Sequence, residues 1–124
     1  MIRRERLEEM PIAQELPGFR LLSPGTWGGL VVEYIECAEK LDLRPMLEGL
    51  PDDLCPSPHW GYMLKGSMYL KYQNGSEELF SEGEAFYAPE GHTGWIEAGS
   101  EMILFSPEAE WKEIAEHLAK KMQS

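Results

Sequence analysis

Apolar and polar residues alternate through the middle of the chain with a period of two, which is typical of half-buried β-strands. In residues 67–73, Met68, Leu70 and Tyr72 fall on one face, while Lys71 falls on the other. The same alternation recurs in shorter segments on either side. The pattern therefore predicts a largely β structure.

Turn residues separate these segments and set their connections. Asn74-Gly75 predicts a type I′ hairpin turn, which needs positive φ at both central positions, with an antiparallel return over 77–80. Residues 23–26 predict a turn, and 43–51 a packed loop with at most one helical turn. Further strands are predicted over 19–22, 29–37, 60–65, 85–88, 93–97 and 101–105, with 11–17 irregular or an edge strand. This order is typical of a small antiparallel barrel or jelly roll.

The period changes at the end of the chain. Ser106 is predicted to cap a helix and Pro107 to occupy its first position. One helical face would carry Trp111, Ile114, Ala115, Leu118, Ala119 and Met122. We expect this helix to lie against the outside of the sheets or against a second subunit. The expected organisation is a single domain, 1–124, with an N-terminal extension (1–27), a barrel (28–106) and a C-terminal helix (107–123).

Composition narrows the possible environments and partners. The 124 residues carry 22 acidic and 11 basic side chains, giving a net charge of −11, which disfavours binding to nucleic acid or anionic lipid. No apolar run approaches the ~20 residues of a membrane span, and none follows the N-terminal charges as in a secretory signal. Two cysteines are too few for a disulfide framework. We expect a soluble cytoplasmic protein with free thiols.

Candidate chemistry is concentrated between residues 53 and 95. Cys55, His59 and His92 could form a metal site, with Asp53 or Glu84 as a fourth ligand. Thiolate and imidazole ligands favour zinc, iron, nickel or copper over magnesium or calcium.

Two other interpretations of these residues stay open. Pro56 and Pro58 could simply hold an extended approach to a strand, with Cys55 as a small buried side chain and the histidines hydrogen-bonded within the barrel mouth. Alternatively, Cys55 and His59 could form a reactive thiolate–imidazolium pair. The sequence has no oxyanion-hole signature to accompany such a nucleophile.

The aromatic residues of the same region also allow two interpretations. Trp60, Tyr62, Tyr87 and Trp95, together with Glu84, could line a ligand pocket at the barrel mouth. The aromatic side chains could equally fill the barrel as core residues.

Two glycine-containing segments resemble the motifs of the cupin superfamily. Gly83, Pro89 and Gly91 have the spacing of the first half of the second cupin motif, and residues 59–66 resemble the end of the first. The resemblance covers roughly residues 28–106. It implies an antiparallel double-stranded β-helix, and a divalent metal held at the barrel mouth by three histidines and a glutamate.

The residues at the positions of those ligands differ from the cupin pattern. His59 stands at the glutamate position, Cys55 at the second histidine and Asp53 at the first. Gly94 stands where the second motif has histidine, and His92 lies two residues earlier, on the same face of an extended strand.

These observations predict a cupin-like protein that binds a small molecule at the barrel mouth beside zinc, iron or nickel. If it is an enzyme, the metal would act as a Lewis acid or an oxygen-binding centre, as in dioxygenases or isomerases. The alternative is a non-catalytic binding or sensing module. A homodimer is expected for either, through the apolar face of residues 111–122 and the N-terminal segment.

Overall fold

Residues 2–123 are described by a computed structural model of the chain, with side chains described as far as residue 121. The strands are β1 (Ile12–Leu16), β2 (Phe19–Trp27), β3 (Leu30–Cys37), β4 (Leu41–Asp42), β5 (His59–Lys65), β6 (Ser67–Tyr72), β7 (Glu77–Ser81), β8 (Ala85–Ala88), β9 (His92–Ile96) and β10 (Ser100–Pro107). The helices are α1 (Arg44–Leu47) and α2 (Glu108–Gln123), and 3-10 turns cover Leu7–Glu9 and Pro51–Asp53.

The strands form two antiparallel sheets. The larger sheet has six strands in the order β1-β2-β3-β10-β5-β8, and the smaller has four in the order β4-β9-β6-β7. Burial alternates along β10, where Ser100, Met102, Leu104 and Ser106 are buried. Met102 and Leu104 belong to the core cluster that includes Met63, Met68 and Leu70. The predicted mostly β fold, with its C-terminal helix, is confirmed.

Two predicted turns differ from the structure. Residues 23–26 lie within β2 rather than in a turn. At this point the pairing of β2 with β3 shifts register, between Leu22 and Gly25. The hairpin after β6 is present, but Gly75 has positive φ and Asn74 does not, so the type I′ prediction is wrong. The Asn74 side chain instead accepts the Ser76 N–H at 2.9 Å, which stabilises the loop in another conformation.

The start of the C-terminal helix also differs from the prediction. Ser106 and Pro107 belong to β10, and α2 begins at Glu108. The Ser106 hydroxyl bonds to His59 rather than to the helix. The local capping pattern is therefore overridden by a tertiary contact.

The apolar face of α2 turns inward over the space between the sheets. Trp111, Ile114, Ala115, Leu118 and Ala119 line a cavity there, so the expectation that the helix packs on the outside of the sheets is wrong. Met122, predicted on the same face, lies outside the residues whose side chains are described. The helix thus forms one wall of the candidate site. No helix in the described part of the chain is long and apolar enough to cross a membrane.

Candidate metal and ligand site

Backbone pairing holds three potential metal ligands together at one end of the cavity. His59 is the first residue of β5 and His92 the first residue of β9. Cys55 forms an isolated antiparallel bridge with His92, and its N–H donates to the His92 carbonyl at 2.8 Å. Residues from two sheets and one loop therefore converge at this point.

One separation within this cluster fits two ligands of a single metal ion, and the third ligand atom lies nearby. The ligand atoms of Cys55, His59 and His92 all lie within 4.8 Å of one another. Cys55 Sγ and His59 Nε2 are 3.6 Å apart. Zinc–sulfur and zinc–nitrogen bonds of about 2.3 and 2.0 Å, meeting at a tetrahedral angle, give a sulfur–nitrogen separation of about 3.5 Å, close to the observed one. The donor set and the separation of Cys55 Sγ and His59 Nε2 are thus compatible with a transition metal held by these residues.

Hydrogen bonds orient both imidazole rings for such a role. His59 Nδ1 lies 2.7 Å from the Ser106 hydroxyl oxygen, and His92 Nδ1 lies 2.7 Å from the Pro89 carbonyl oxygen. Since a carbonyl only accepts, His92 Nδ1 carries the proton and leaves Nε2 as the ligand atom. Metal-binding histidines are commonly fixed in this way by a second hydrogen bond.

Burial favours the neutral forms of these groups. It lowers the pKa of His59 to about 3, helped by nearby His92, and also lowers the pKa of His92. Burial raises the pKa of the Cys55 thiol to about 11. These directions oppose a thiolate–imidazolium nucleophile. Neutral imidazole is the form that ligates metals, whereas Cys55 would lose its proton when a cation binds.

The cluster opens onto a cavity of about 520 Å³. Its walls are mainly apolar and come from both sheets, α1 and α2. Among the described residues, the polar side chains that line it are Gln14, Glu33, Cys55, His59 and His92, together with the Trp111 indole. A cavity of this size with few polar groups is typical of small-molecule sites.

Glu33 is a buried carboxyl group in this cavity and was not singled out by the sequence analysis. Its side chain is 8% exposed, and the Trp111 indole N–H donates to Oε2 at 3.2 Å. Burial raises the pKa of Glu33, and the Trp111 hydrogen bond partly offsets that effect. The available signal was its position, because Glu33 shares one face of the strand with the apolar residues Val31 and Ile35.

The two candidate fourth ligands lie outside the three-residue cluster. Asp53 is exposed and accepts the Gly49 N–H at 2.9 Å. Glu84 is exposed and accepts the Ser81 N–H at 2.5 Å. The structure therefore brings together Cys55, His59 and His92 but neither of these carboxylates.

The aromatic residues predicted for the pocket also lie away from the cavity. Trp60, Tyr62 and Tyr87 are 43%, 41% and 53% exposed, and Tyr87 lines a separate open groove of about 660 Å³ together with Glu84. Trp95 stacks on Tyr69 with ring centroids 4.4 Å apart.

Tyr72 is an aromatic side chain that contacts the candidate ligand His92. Its ring packs edge-on against His92 at 5.8 Å. Within the described part of the chain, its buried hydroxyl has no hydrogen-bond partner. The sequence placed Tyr72 on the inner face of β6 but gave no signal that it contacts His92.

The sequence matches no protein-family model and no curated protein. Its structure is similar to that of an RmlC-like cupin from Shewanella frigidimarina, with a TM-score of 0.59 and 16% identity over 86% of this chain and 92% of the other. It is also similar to the polyketide cyclase RemF from Streptomyces resistomycificus (TM-score 0.58, 18% identity, 86% of this chain and 80% of RemF). A third similar structure is FeII HppE (TM-score 0.53, 14% identity, 85% of this chain and 60% of HppE). The chain therefore has a fold similar to that of these cupin-like proteins, which agrees with the fold expected from its two glycine-containing motifs.

Proposed function

We propose that this protein binds a divalent transition metal through Cys55, His59 and His92, and a small molecule in the adjoining cavity. The observation that carries the proposal is the 3.6 Å separation of Cys55 Sγ and His59 Nε2 beside His92. Zinc, iron and nickel suit this donor set. The similar protein HppE is an FeII form, and this likeness makes iron one metal to test here.

The residues of this chain have separable roles in that proposal. Ser106 and the Pro89 carbonyl hold the two imidazole rings. The inward face of α2 forms one apolar wall of the cavity, and Glu33 would supply a carboxyl group beside the ligand. A bound metal would act as a Lewis acid towards an oxygen atom of the ligand. This arrangement suits a metal-dependent enzyme of the dioxygenase or isomerase kind.

A non-catalytic binding or sensing module is the second candidate. It is favoured by the mainly apolar cavity wall, in which Glu33 is the one carboxylate among the described lining residues. A ligand that binds without being converted, with metal present at one equivalent, would support this candidate over an enzyme.

Metal analysis of the purified protein tests the proposal. The protein should be prepared without chelator or nickel-affinity steps, and metal per protomer measured by mass spectrometry, before and after anaerobic loading with Zn²⁺, Fe²⁺ or Ni²⁺. We expect about one equivalent in the wild type and less than a tenth of that in Cys55→Ser, His59→Gln and His92→Gln.

Two variants provide matched controls for this experiment. Cys37 is a second free, buried thiol outside the cluster, and His117 lies on α2. Cys37→Ser and His117→Gln should retain full metal content. Wild-type protein that takes up no metal after loading, or cluster variants that keep it, would overturn the proposal.

We further propose that the protein acts in the cytoplasm as a homodimer. The two free, buried thiols suit a reducing compartment. Because the apolar face of α2 lines the cavity, the outer surface around Trp60 and Tyr87, whose rings are 5.2 Å apart, is the better dimer contact. Light scattering should give twice the protomer mass, and Trp60→Glu should reduce it to one protomer.

A further inference from the structure

The charge balance of the cavity limits what it can bind. No lysine or arginine occurs among the described residues that line it. The Cys55 thiolate would neutralise one of the two positive charges of a bound divalent cation, and the Glu33 carboxylate could neutralise the other. Little positive charge would then remain for a carboxylate or phosphate ligand. The overall charge of −11 acts in the same direction.

The walls of the cavity are suited to an apolar molecule. Ile35, Leu47, Met68, Leu70 and Leu104 line it from both sheets and α1. An apolar ligand gains free energy in proportion to the surface that it removes from water. The cavity volume of about 520 Å³ exceeds that of a two-ring aromatic molecule.

Glu33 supplies a specific polar contact within these walls. It is buried, and no salt bridge reaches it from any residue in the described part of the chain. A hydroxyl group on a ligand could hydrogen-bond with this carboxyl group. A buried carboxyl group facing an apolar molecule of the same shape would gain no such contact.

We infer that the cavity selects an uncharged, largely apolar molecule whose hydroxyl group hydrogen-bonds with Glu33. This inference deepens the proposed function, since it names the ligand class of the same cavity. Glu33 is here a specificity-determining residue, and Trp111 positions it from α2. The inference depends on the cavity wall and Glu33, whereas metal binding depends on the separate cluster of Cys55, His59 and His92.

Calorimetric titration with four related probes tests this inference: 2-naphthol, 2-methoxynaphthalene, naphthalene and 2-naphthoate. We expect the wild type to bind 2-naphthol about ten-fold more tightly than each of the other three. The ether and naphthalene would lack one buried hydrogen bond, and naphthoate would bring an unfavourable negative charge into the cavity. The methyl ether cannot donate a hydrogen bond, so it tests the contact without any change to the protein. Equal affinity for 2-naphthol and either the ether or the carboxylate would overturn the inference, as would no binding of any probe.

Variants of Glu33 test whether this side chain is responsible. In Glu33→Leu the preference for 2-naphthol over naphthalene should fall to about one, with naphthalene still bound. Glu33→Gln keeps a polar amide and should retain most of the preference. Glu36→Leu removes a carboxylate that pairs with Arg20 on the opposite face of β3 and should leave the preference unchanged. A preference that persists in folded Glu33→Leu would overturn the role of Glu33.

The same samples separate failure of this inference from failure of the proposed function. Each titration should be repeated on protein treated with a chelator, with metal content measured in parallel. Probe selectivity without metal uptake would overturn the proposed metal site alone. Metal uptake without selectivity would overturn the ligand class alone.

Discussion

The hydroxyl oxygen of Ser106 lies 2.7 Å from Nδ1 of His59 and joins the end of β10 to the start of β5. This contact fixes the ring so that Nε2 lies 3.6 Å from the Cys55 sulfur atom. It also explains why Ser106 does not cap the following helix. Ser106 has the local pattern of a helix cap, but it instead supports the candidate site through His59, 47 positions away in the sequence.

Ser106→Ala should weaken metal binding without removing a ligand. Loss of a hydrogen bond to a metal-binding histidine typically costs about 10–100-fold in affinity. Competition with a coloured chelator would measure the change. Ser100→Ala is a matched control, because Ser100 is buried on the same strand and bonds to the Ser67 backbone instead. Equal affinity in Ser106→Ala and the wild type would contradict an orienting role.

The missing histidine of the second cupin-like motif cannot be restored at its usual position. Gly94 has φ of +150°, and a Cβ atom there would lie 1.9 Å from the Tyr69 carbonyl oxygen. We therefore expect Gly94→His and Gly94→Ala to lower the free energy of unfolding by more than about 3 kcal/mol, without adding a metal ligand.

Denaturant unfolding would measure this loss against Gly99→Ala. Gly99 also has positive φ, but no atom of the described residues lies within 4 Å of its added Cβ, so about 1–3 kcal/mol is expected from backbone strain alone. Gly94→Ala with a stability equal to that of Gly99→Ala would show that the strands relax around the new side chain. A fully stable Gly94→His would contradict the steric argument.

The strand pattern predicts much of the fold because its signal is local. Alternation predicted the buried face of β6, and turn residues predicted most strand boundaries. Cys55 and His59 lie four positions apart, and the spacing of Gly83, Pro89 and Gly91 indicated the second motif next to His92. Local spacing thus selected the three residues that the structure brings together, but it also selected Asp53 and Glu84, which lie outside the cluster.

The expected pocket lining conflicted with the geometry of a strand. His59 and Trp60 are neighbours in β5, so they point to opposite sides of the sheet and cannot both face the cavity. The next position on the same side as His59 is Gly61, which has no room for a side chain because an added Cβ would lie 2.6 Å from the Ile103 carbonyl oxygen. Glu33 and Trp111, in contrast, are 78 positions apart, and no local pattern predicts their contact.

The Glu33–Trp111 contact should be detectable as a coupling in stability. Trp111→Phe removes the N–H donor from a buried carboxyl group and should lower the free energy of unfolding by about 1–3 kcal/mol. In a Glu33→Leu background the same change should cost about 1 kcal/mol less, as a double-mutant cycle in urea would measure.

Trp27→Phe is the matched control for losing an indole N–H. The Trp27 nitrogen is buried and, among the described residues, has no hydrogen-bond partner. Its removal should therefore cost less than the removal of the Trp111 N–H. A coupling energy between Glu33 and Trp111 that is zero within error would mean that Trp111 stabilises the fold by packing alone.

Stability should depend on pH through Glu33. Burial raises the pKa of Glu33 above its ordinary value of 4.5, against the lowering effect of the Trp111 N–H. The folded protein thus holds this proton more tightly than the unfolded chain does. The contribution of Glu33 to the free energy of unfolding should consequently fall as the pH rises from about 4.5 through the folded-state pKa. Below that window the carboxyl group is neutral in both states and its burial is least unfavourable.

Glu33→Gln isolates this contribution, because the amide has similar shape and no titration. Urea unfolding from about pH 4 to about pH 8 should show the stability of the variant relative to the wild type increasing through the window and then levelling off. The rise should be about 1.4 kcal/mol for each unit by which folding raises the pKa. Glu36→Gln serves as the control for removing one carboxylate from the same strand. Parallel curves for Glu33→Gln and the wild type would show that Glu33 ionises equally well in both states, contrary to its burial beside the cavity.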